Sequence, residues 1–140
     1  MDIRQLFSGE QKGQKVTVRG WVRTFRANRF IALNDGSCLA NLQCVVDFEQ
    51  MSEEILAEIN TGAALEISGK LVESQGKGQQ FEIQADSVIV LGGSNPDEYP
   101  IQPKKHSLEF LREKAHLRVR TNTFAAVMRV RAALSFAVHQ

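Results

Sequence analysis

Apolar and polar positions alternate through most of the first ninety or so residues. In Lys15–Phe25, Val16, Val18 and Val22 share one phase while Arg19, Trp21 and Arg23 share the other, which predicts a half-buried strand. Gly20 marks a place where that strand can bend or bulge. Arg29–Asn34 predicts a second strand after a short Arg26–Asn28 turn, with Ile31 and Leu33 inward and Phe30, Ala32 and Asn34 outward. Asn34-Asp35-Gly36-Ser37 is a turn signal. It leads into a predicted third strand, Cys38–Val46, with Leu42, Cys44 and Val46 on one face and Asn41 and Gln43 on the other.

The period then changes. Met51, Ile55, Leu56 and Ile59 follow helical spacing and Gly62 is a plausible stop. Alternation returns in Ala64–Glu73, with Leu65, Ile67 and Leu71 inward, and again in Phe81–Leu91, where Phe81, Ile83 and Ala85 oppose Glu82, Gln84 and Asp86. Ser74–Gln80 between them reads as an exposed, mobile hairpin loop. Three strands, one helix, then two strands is the element order of an OB-fold, a five-stranded barrel with its helix between strands three and four. A sandwich shares the strand count; the helix at that position favours the barrel. The fold class expected is therefore all-β with one helix, followed by a linker and the start of a further domain.

Beyond Gly92-Gly93-Ser94-Asn95-Pro96 the character shifts. Tyr99–His106 carries two prolines and two lysines, Leu108–Lys114 suits a short helix, and a longer helix begins near Thr121 or Asn122. Phe124, Val127, Met128, Leu134 and Val138 stripe that last helix, which finds no partner in the remaining sequence. The expected division is a barrel over 1–95, a linker or hinge over 96–120, and the first helix of a truncated domain over 121–140.

Composition narrows the classes. Of 140 residues, 43% are hydrophobic and 24% charged, as in ordinary globular domains. No apolar run approaches the roughly 18 residues needed to cross a bilayer, and the N-terminus lacks the layout of a secretory signal. A cytoplasmic location with no membrane partner is the expectation. Cys38 and Cys44, placed on one strand, would lie roughly 20 Å apart, too far to bridge. The three histidines have no cysteine partners at zinc spacing, and no metal site is expected. Residues 1–95 hold 9 Lys/Arg against 12 Asp/Glu, whereas 96–140 hold 8 against 4. Within the acidic part, Arg19, Arg23, Arg26 and Arg29 crowd together, either as a placed anion-binding stripe or as a solvated strand face.

OB-folds bind oligonucleotides across strands two and three. An outward Phe30 offers a stacking platform, the Gln43 amide can donate and accept at a base edge, and the Glu82 carboxylate can accept from an amine or ring N–H. The plainer readings are a core-rim aromatic, a strand-surface amide and an arginine partner. No phosphate-loop, nucleophile-elbow, zinc-protease or Cys/His motif appears, so no catalytic residue is assigned, and Gly76-Lys77-Gly78 is too short for a phosphate loop.

Gly20-Trp21-Val22-Arg23, an arginine-bearing turn, then Phe30 and Asp35 resemble the OB domain of the class II synthetases for Asp, Asn and Lys. Tyr99-Pro100-Ile101-Gln102-Pro103-Lys104-Lys105-His106-Ser107-Leu108-Glu109-Phe110-Leu111-Arg112-Glu113, continuing through His116–Asn122, is similar to the bacterial asparaginyl family. That resemblance implies anticodon-loop binding to tRNA(Asn), with Phe30 stacking, Gln43 reading the central U, and Arg26 and Glu82 as further contacts. Arg19, Arg23 and Arg29 are then expected phosphate contacts. It implies an ATP- and Mg²⁺-dependent ligase as the whole protein, homodimeric, whose second and third signature motifs are missing from this chain, which itself holds no cofactor and should not form adenylate. A free-standing OB module for single-stranded nucleic acid, a helix-mediated interaction module and the equivalent aspartyl domain remain the alternatives.

Overall fold

The computed structural model describes residues 1–140 apart from Phe48, Gln50 and Lys77. Its centre is a closed barrel built from β1 (Lys15–Arg26), β2 (Phe30–Asn34), β3 (Leu42–Val45), β4 (Ala64–Glu73) and β5 (Phe81–Gly92). The strands close in the order β1-β2-β3-β5-β4. All neighbours are antiparallel except β3 and β5, which run parallel. That parallel pair needs a crossover, and α2 (Glu53–Glu58) lies in the connection between β3 and β4. Ser52 caps α2, accepting from the Ile55 N–H.

The inward phase of every strand meets in one core. Val18, Val22, Ile31, Leu33, Leu42, Cys44, Leu65, Ile67, Leu71 and Ile83 are all buried, and Ile55 and Leu56 of α2 pack partly against them. Burial pushes the Cys44 thiol far above its usual range, so it packs as a protonated apolar group.

Two glycines let strands approach closely. A Cβ on Gly20 would lie 2.5 Å from the Asn34 carbonyl oxygen, and one on Gly69 only 2.0 Å from that of Gln84. Gly20 therefore serves a close approach, while the register break in β1 falls between Val22 and Thr24, at Arg23. A second break between Ser68 and Gly69 lets β5 skip Asp86, after which Val88 and Val90 turn inward.

The structure differs from the sequence expectations in two places. First, a short helix, α1 (Ile3–Leu6), precedes the barrel and buries Ile3 and Leu6 completely. Asp2 and Gln5 form its capping box. The Asp35 carboxylate accepts from the Ile3 N–H at 2.7 Å and Ser37 Oγ accepts from the Arg4 N–H at 3.0 Å. Second, β3 starts at Leu42, not Cys38. The Asn34 amide holds residues 35–41 as a loop by donating to the Ala40 carbonyl (3.0 Å) and Asn41 Oδ1 (3.0 Å), and its oxygen accepts from the Gly36 N–H (2.8 Å). Asn34 is thus buried rather than outward, and Cys38 lies outside the strand, so the single-strand ruler between the two free cysteines does not apply. Of the expected Ser74–Gln80 loop, Lys77 lies outside the described residues, and the loop's two ends are joined by the Ser74 N–H donating to the Gln80 carbonyl at 2.9 Å.

After the barrel the chain folds back on it. Ser94 Oγ donates to the Thr61 carbonyl at 2.9 Å, the Tyr99 ring lies over Gly62, and Ile101 and Leu111 are buried. The short α3 (Leu108–Glu113) and a 3-10 turn (Arg118–Arg120) lead into α4 (Asn122–His139), capped by Thr121. On α4, Val130, Leu134, Phe136 and Val138 are exposed. Among the described residues no helix is long and apolar enough to cross a membrane.

Candidate nucleic-acid interface

The outward surface of β2, β3 and β5 gathers three of the residues singled out from sequence. Antiparallel pairing sets Phe30 opposite Val45 and Ala32 opposite Gln43, and the parallel pair sets Gln43 beside Glu82. Gln43 Nε2 donates to Glu82 Oε2 at 3.0 Å. Ser74 Oγ, at the end of β4, donates to the same oxygen at 2.7 Å. Both donors converge on one carboxylate oxygen, and the Gln43 amide is held with its nitrogen toward Glu82. Among the described residues nothing donates to Gln43 Oε1, so an acceptor held in place faces the surface. Phe30 is half-buried at one end of this row, and Ala32 between Phe30 and Asn34 leaves the face flat.

The β1–β2 turn supplies charge. Arg26 and Arg29 flank it, their connection closed by the Arg29 N–H donating to the Arg26 carbonyl at 3.1 Å. Ala27 and Asn28 between them hold φ of 53° and 49°, the left-handed region in which a tight turn reverses the chain. Both arginines are exposed, and among the described residues neither guanidinium has an ion-pair partner. The Arg29 guanidinium carbon sits 5.9 Å from the Phe30 ring centroid, so a cation borders that ring.

The other two arginines of the predicted stripe lie elsewhere. Arg19 pairs with Glu66 on β4, Nε to Oε2 at 2.6 Å, on the flank of the barrel away from β3. Arg23 is half-buried at the β1 register break and donates from Nη2 to Asn122 Oδ1 at 3.1 Å, where the barrel meets the start of α4. Burial lowers its pKa, partly opposed by the nearby Tyr99. Of the seven residues proposed from sequence, the fold therefore brings Arg26, Arg29, Phe30, Gln43 and Glu82 onto one surface, and sets Arg19 and Arg23 apart from it.

Ser74 belongs to the site and was not found from sequence, because nothing local marks a strand-end serine as reaching across a parallel neighbour. A second polar cluster was also missed. The Arg120 guanidinium carbon lies 5.1 Å from the Trp21 ring and 5.9 Å from the Tyr99 ring, joining β1 to the segment after the barrel. Among the described residues no group of three His, Cys, Asp or Glu side chains is arranged to hold a metal ion.

Similarity to known proteins agrees with this geometry. The asparagine–tRNA ligase of Cytophaga hutchinsonii is 51% identical over 142 residues, covering 98% of this chain and 31% of the relative. That of Parabacteroides distasonis is 52% identical over 141 residues, covering 99% and 30%. The chain thus spans under a third of the length of these curated relatives. Asparaginyl-tRNA synthetase of Pyrococcus horikoshii, solved with asparaginyl-adenylate, superposes with a TM-score of 0.81 at 22% identity, covering 99% of this chain and 33% of that one. The family model for the OB-fold nucleic acid binding domain of the tRNA anticodon type matches residues 16–91, the barrel from β1 to β5 less one residue at each end. With that match and this surface, the chain belongs to the tRNA anticodon-binding family of OB-fold nucleic acid binding domains.

Proposed function

We propose that this chain reads the anticodon loop of tRNA(Asn) for an asparagine–tRNA ligase. The observation that carries the reading is the Gln43–Glu82–Ser74 chain beside Phe30. Uracil presents a ring N–H between two carbonyls. An amide oxygen fixed at the surface, with the amide nitrogen engaged behind it, accepts that N–H and offers nothing to the ring nitrogen of cytosine, which is itself an acceptor. Phe30 stacks a splayed base, and Arg26 and Arg29 meet the phosphates that turn around it.

The ligase identity draws on the relatives named above, and their ligation activity is proposed for the whole protein. ATP and Mg²⁺ would act there through residues outside this chain, which supplies RNA recognition and no reacting group. A homodimer through the exposed face of α4 and a cytoplasmic location complete the proposal.

The test is binding of the 140-residue chain to anticodon stem-loops carrying GUU or GCU at two salt concentrations. Preference for GUU supports the reading. Equal, salt-sensitive binding of both makes the barrel a general RNA clamp, and absence of binding to either overturns the assignment to this chain alone.

A further inference from the structure

The Ser74 hydroxyl has every hydrogen-bonding position taken. Its oxygen accepts from the Gly76 N–H at 3.1 Å and from Gln79 Nε2 at 3.3 Å. A hydroxyl has two lone pairs and one proton. With both lone pairs filled from the β4–β5 loop, the proton goes to Glu82 Oε2 at 2.7 Å. The same oxygen accepts from Gln43 Nε2 at 3.0 Å. The donors therefore run one way, from Gln79 through Ser74 to Glu82, where the Gln43 amide is held. Two backbone features seat the loop in which this relay starts. The Ser74 N–H donates to the Gln80 carbonyl at 2.9 Å, and Gly78 holds φ of 99°, a conformation open to glycine and strained for other residues. Among the described residues Glu82 has no cation at ion-pair distance, so hydrogen bonds rather than an ion pair hold its carboxylate.

We propose that Ser74 and Gln79 are positioning residues for base discrimination: the β4–β5 loop sets, through Glu82, which end of the Gln43 amide meets the RNA. The proposal rests on Gln43 reading the base and adds a control that acts without touching that base. Without the Ser74 hydroxyl, the Glu82 carboxylate loses one of the two donors that hold it and can swing away, releasing Gln43 Nε2. The amide is then able to turn. Turned, it offers an N–H, which the ring nitrogen of cytosine accepts, whereas the ring N–H of uracil meets a donor and is refused. Loss of the relay therefore does more than weaken binding; it moves affinity from one base to the other. Gln79 acts one step further back. Without its amide a Ser74 lone pair is left empty, and the hydroxyl is less confined to Glu82.

The test has two arms on the 140-residue chain. One follows the side-chain amide signal of Gln43 in nitrogen-correlated NMR spectra of the free protein, identified by its absence in Gln43→Ala. The other is competition between GUU and GCU stem-loops. Ser74→Ala and Gln79→Ala are compared with Ser74→Thr, which keeps the hydroxyl, and backbone amide shifts outside the loop check that each variant is folded. In Ser74→Ala the Gln43 signal is expected to move toward that of a freely rotating amide. The GUU-over-GCU ratio should fall about fivefold, the worth of one hydrogen bond, with GCU binding tightened. Gln79→Ala should do the same to a lesser degree, and Ser74→Thr should restore both readouts. Added to Glu82→Ala, Ser74→Ala should lower the ratio no further, because residues acting on one path are not additive. Equal weakening of both stem-loops would make Ser74 a structural residue and overturn the proposal, as would a Gln43 signal unmoved in Ser74→Ala. An unmodified chain without preference for GUU overturns base reading by Gln43 before any variant is made, whereas a preference that survives Ser74→Ala overturns the relay alone.

Discussion

Gln43 Nε2 donates to Glu82 Oε2 at 3.0 Å, across the one parallel strand pair of the barrel. The contact joins β3 to a residue 39 positions later in the chain and decides which face of an amide meets the solvent. With Ser74 holding the same carboxylate oxygen, the amide of Gln43 is prevented from turning its nitrogen outward. On the proposed reading, specificity on this surface would be a matter of orientation, set by a residue that need not touch the RNA.

Glu82→Ala follows directly. Freed from its partner, the Gln43 amide can present either end, so discrimination between central U and central C should fall by about 1 kcal/mol, the worth of one hydrogen bond. Overall affinity at low salt should change little, because the arginines and Phe30 are untouched. Competition between GUU and GCU stem-loops measures the ratio. An unchanged ratio would remove Glu82 from the orienting role.

Phe30→Ala should act on affinity instead. The ring is half-buried, outside the inward phase that Ile31 and Leu33 fill. Its loss should weaken stem-loop binding by about 1–3 kcal/mol and leave the urea unfolding midpoint nearly in place. A large fall in the midpoint with intact binding would make Phe30 a packing residue.

The barrel was legible because its signals are local. Val16, Val18 and Val22, or Leu65, Ile67 and Leu71, declare their strand by period alone, and Phe30, Gln43 and Glu82 follow from knowing which phase faces out. What escaped depends on contacts distant in sequence. α1 carries a readable capping box at Asp2 and Gln5, but four residues carry too little periodicity to be separated from a disordered start. Asn34 alternates like an outward residue and is buried because its amide ties together a loop that looked like strand. Arg19 and Arg23 share composition and spacing with Arg26; only the register break at Arg23 and the Glu66 partner of Arg19 divide them.

Asp35 gives the fold an acid dependence. Partial burial raises its pKa, but hydrogen bonds from the Ser37 hydroxyl and from the Ile3 and Ser37 N–H groups outweigh that, and the net result is a pKa below the usual carboxylate value. A depressed folded pKa stabilises the protein above the unfolded value, near 3.9, and that contribution disappears as pH falls through the folded value. Asp35→Asn should therefore cost about 1–2 kcal/mol at pH 7, the screened worth of charge-assisted hydrogen bonds. The two proteins should converge in stability once pH falls below the folded pKa of Asp35. Urea titrations across pH 2–7 read both limbs; parallel curves throughout would mean the charge of Asp35 contributes nothing.

Gly69→Ala tests the barrel closure. The added methyl would sit 2.0 Å from the Gln84 carbonyl oxygen and 2.8 Å from the Ala85 Cα, both backbone atoms of β5 that cannot swing aside. A loss of about 3 kcal/mol or more is expected, compared with a small change for Gly76→Ala, where the nearest atoms belong to flexible side chains. Thermal unfolding of the pair separates close approach from a general cost of replacing glycine.

Arg26 and Arg29 separate charge from base reading. Among the described residues neither has a carboxylate partner, so neutralising one removes a cation without exposing an unpaired anion. Arg26→Gln should lower the salt slope of stem-loop binding by about 0.7, one phosphate on a single strand, with affinity falling equally for GUU and GCU. Arg29 also borders the Phe30 ring at 5.9 Å. Its replacement should therefore cost more than that of Arg26 and retain part of the loss at high salt, where phosphate attraction is screened and the ring contact is not. Equal losses that vanish together at high salt would assign both arginines to phosphate alone and leave the stacking platform to Phe30.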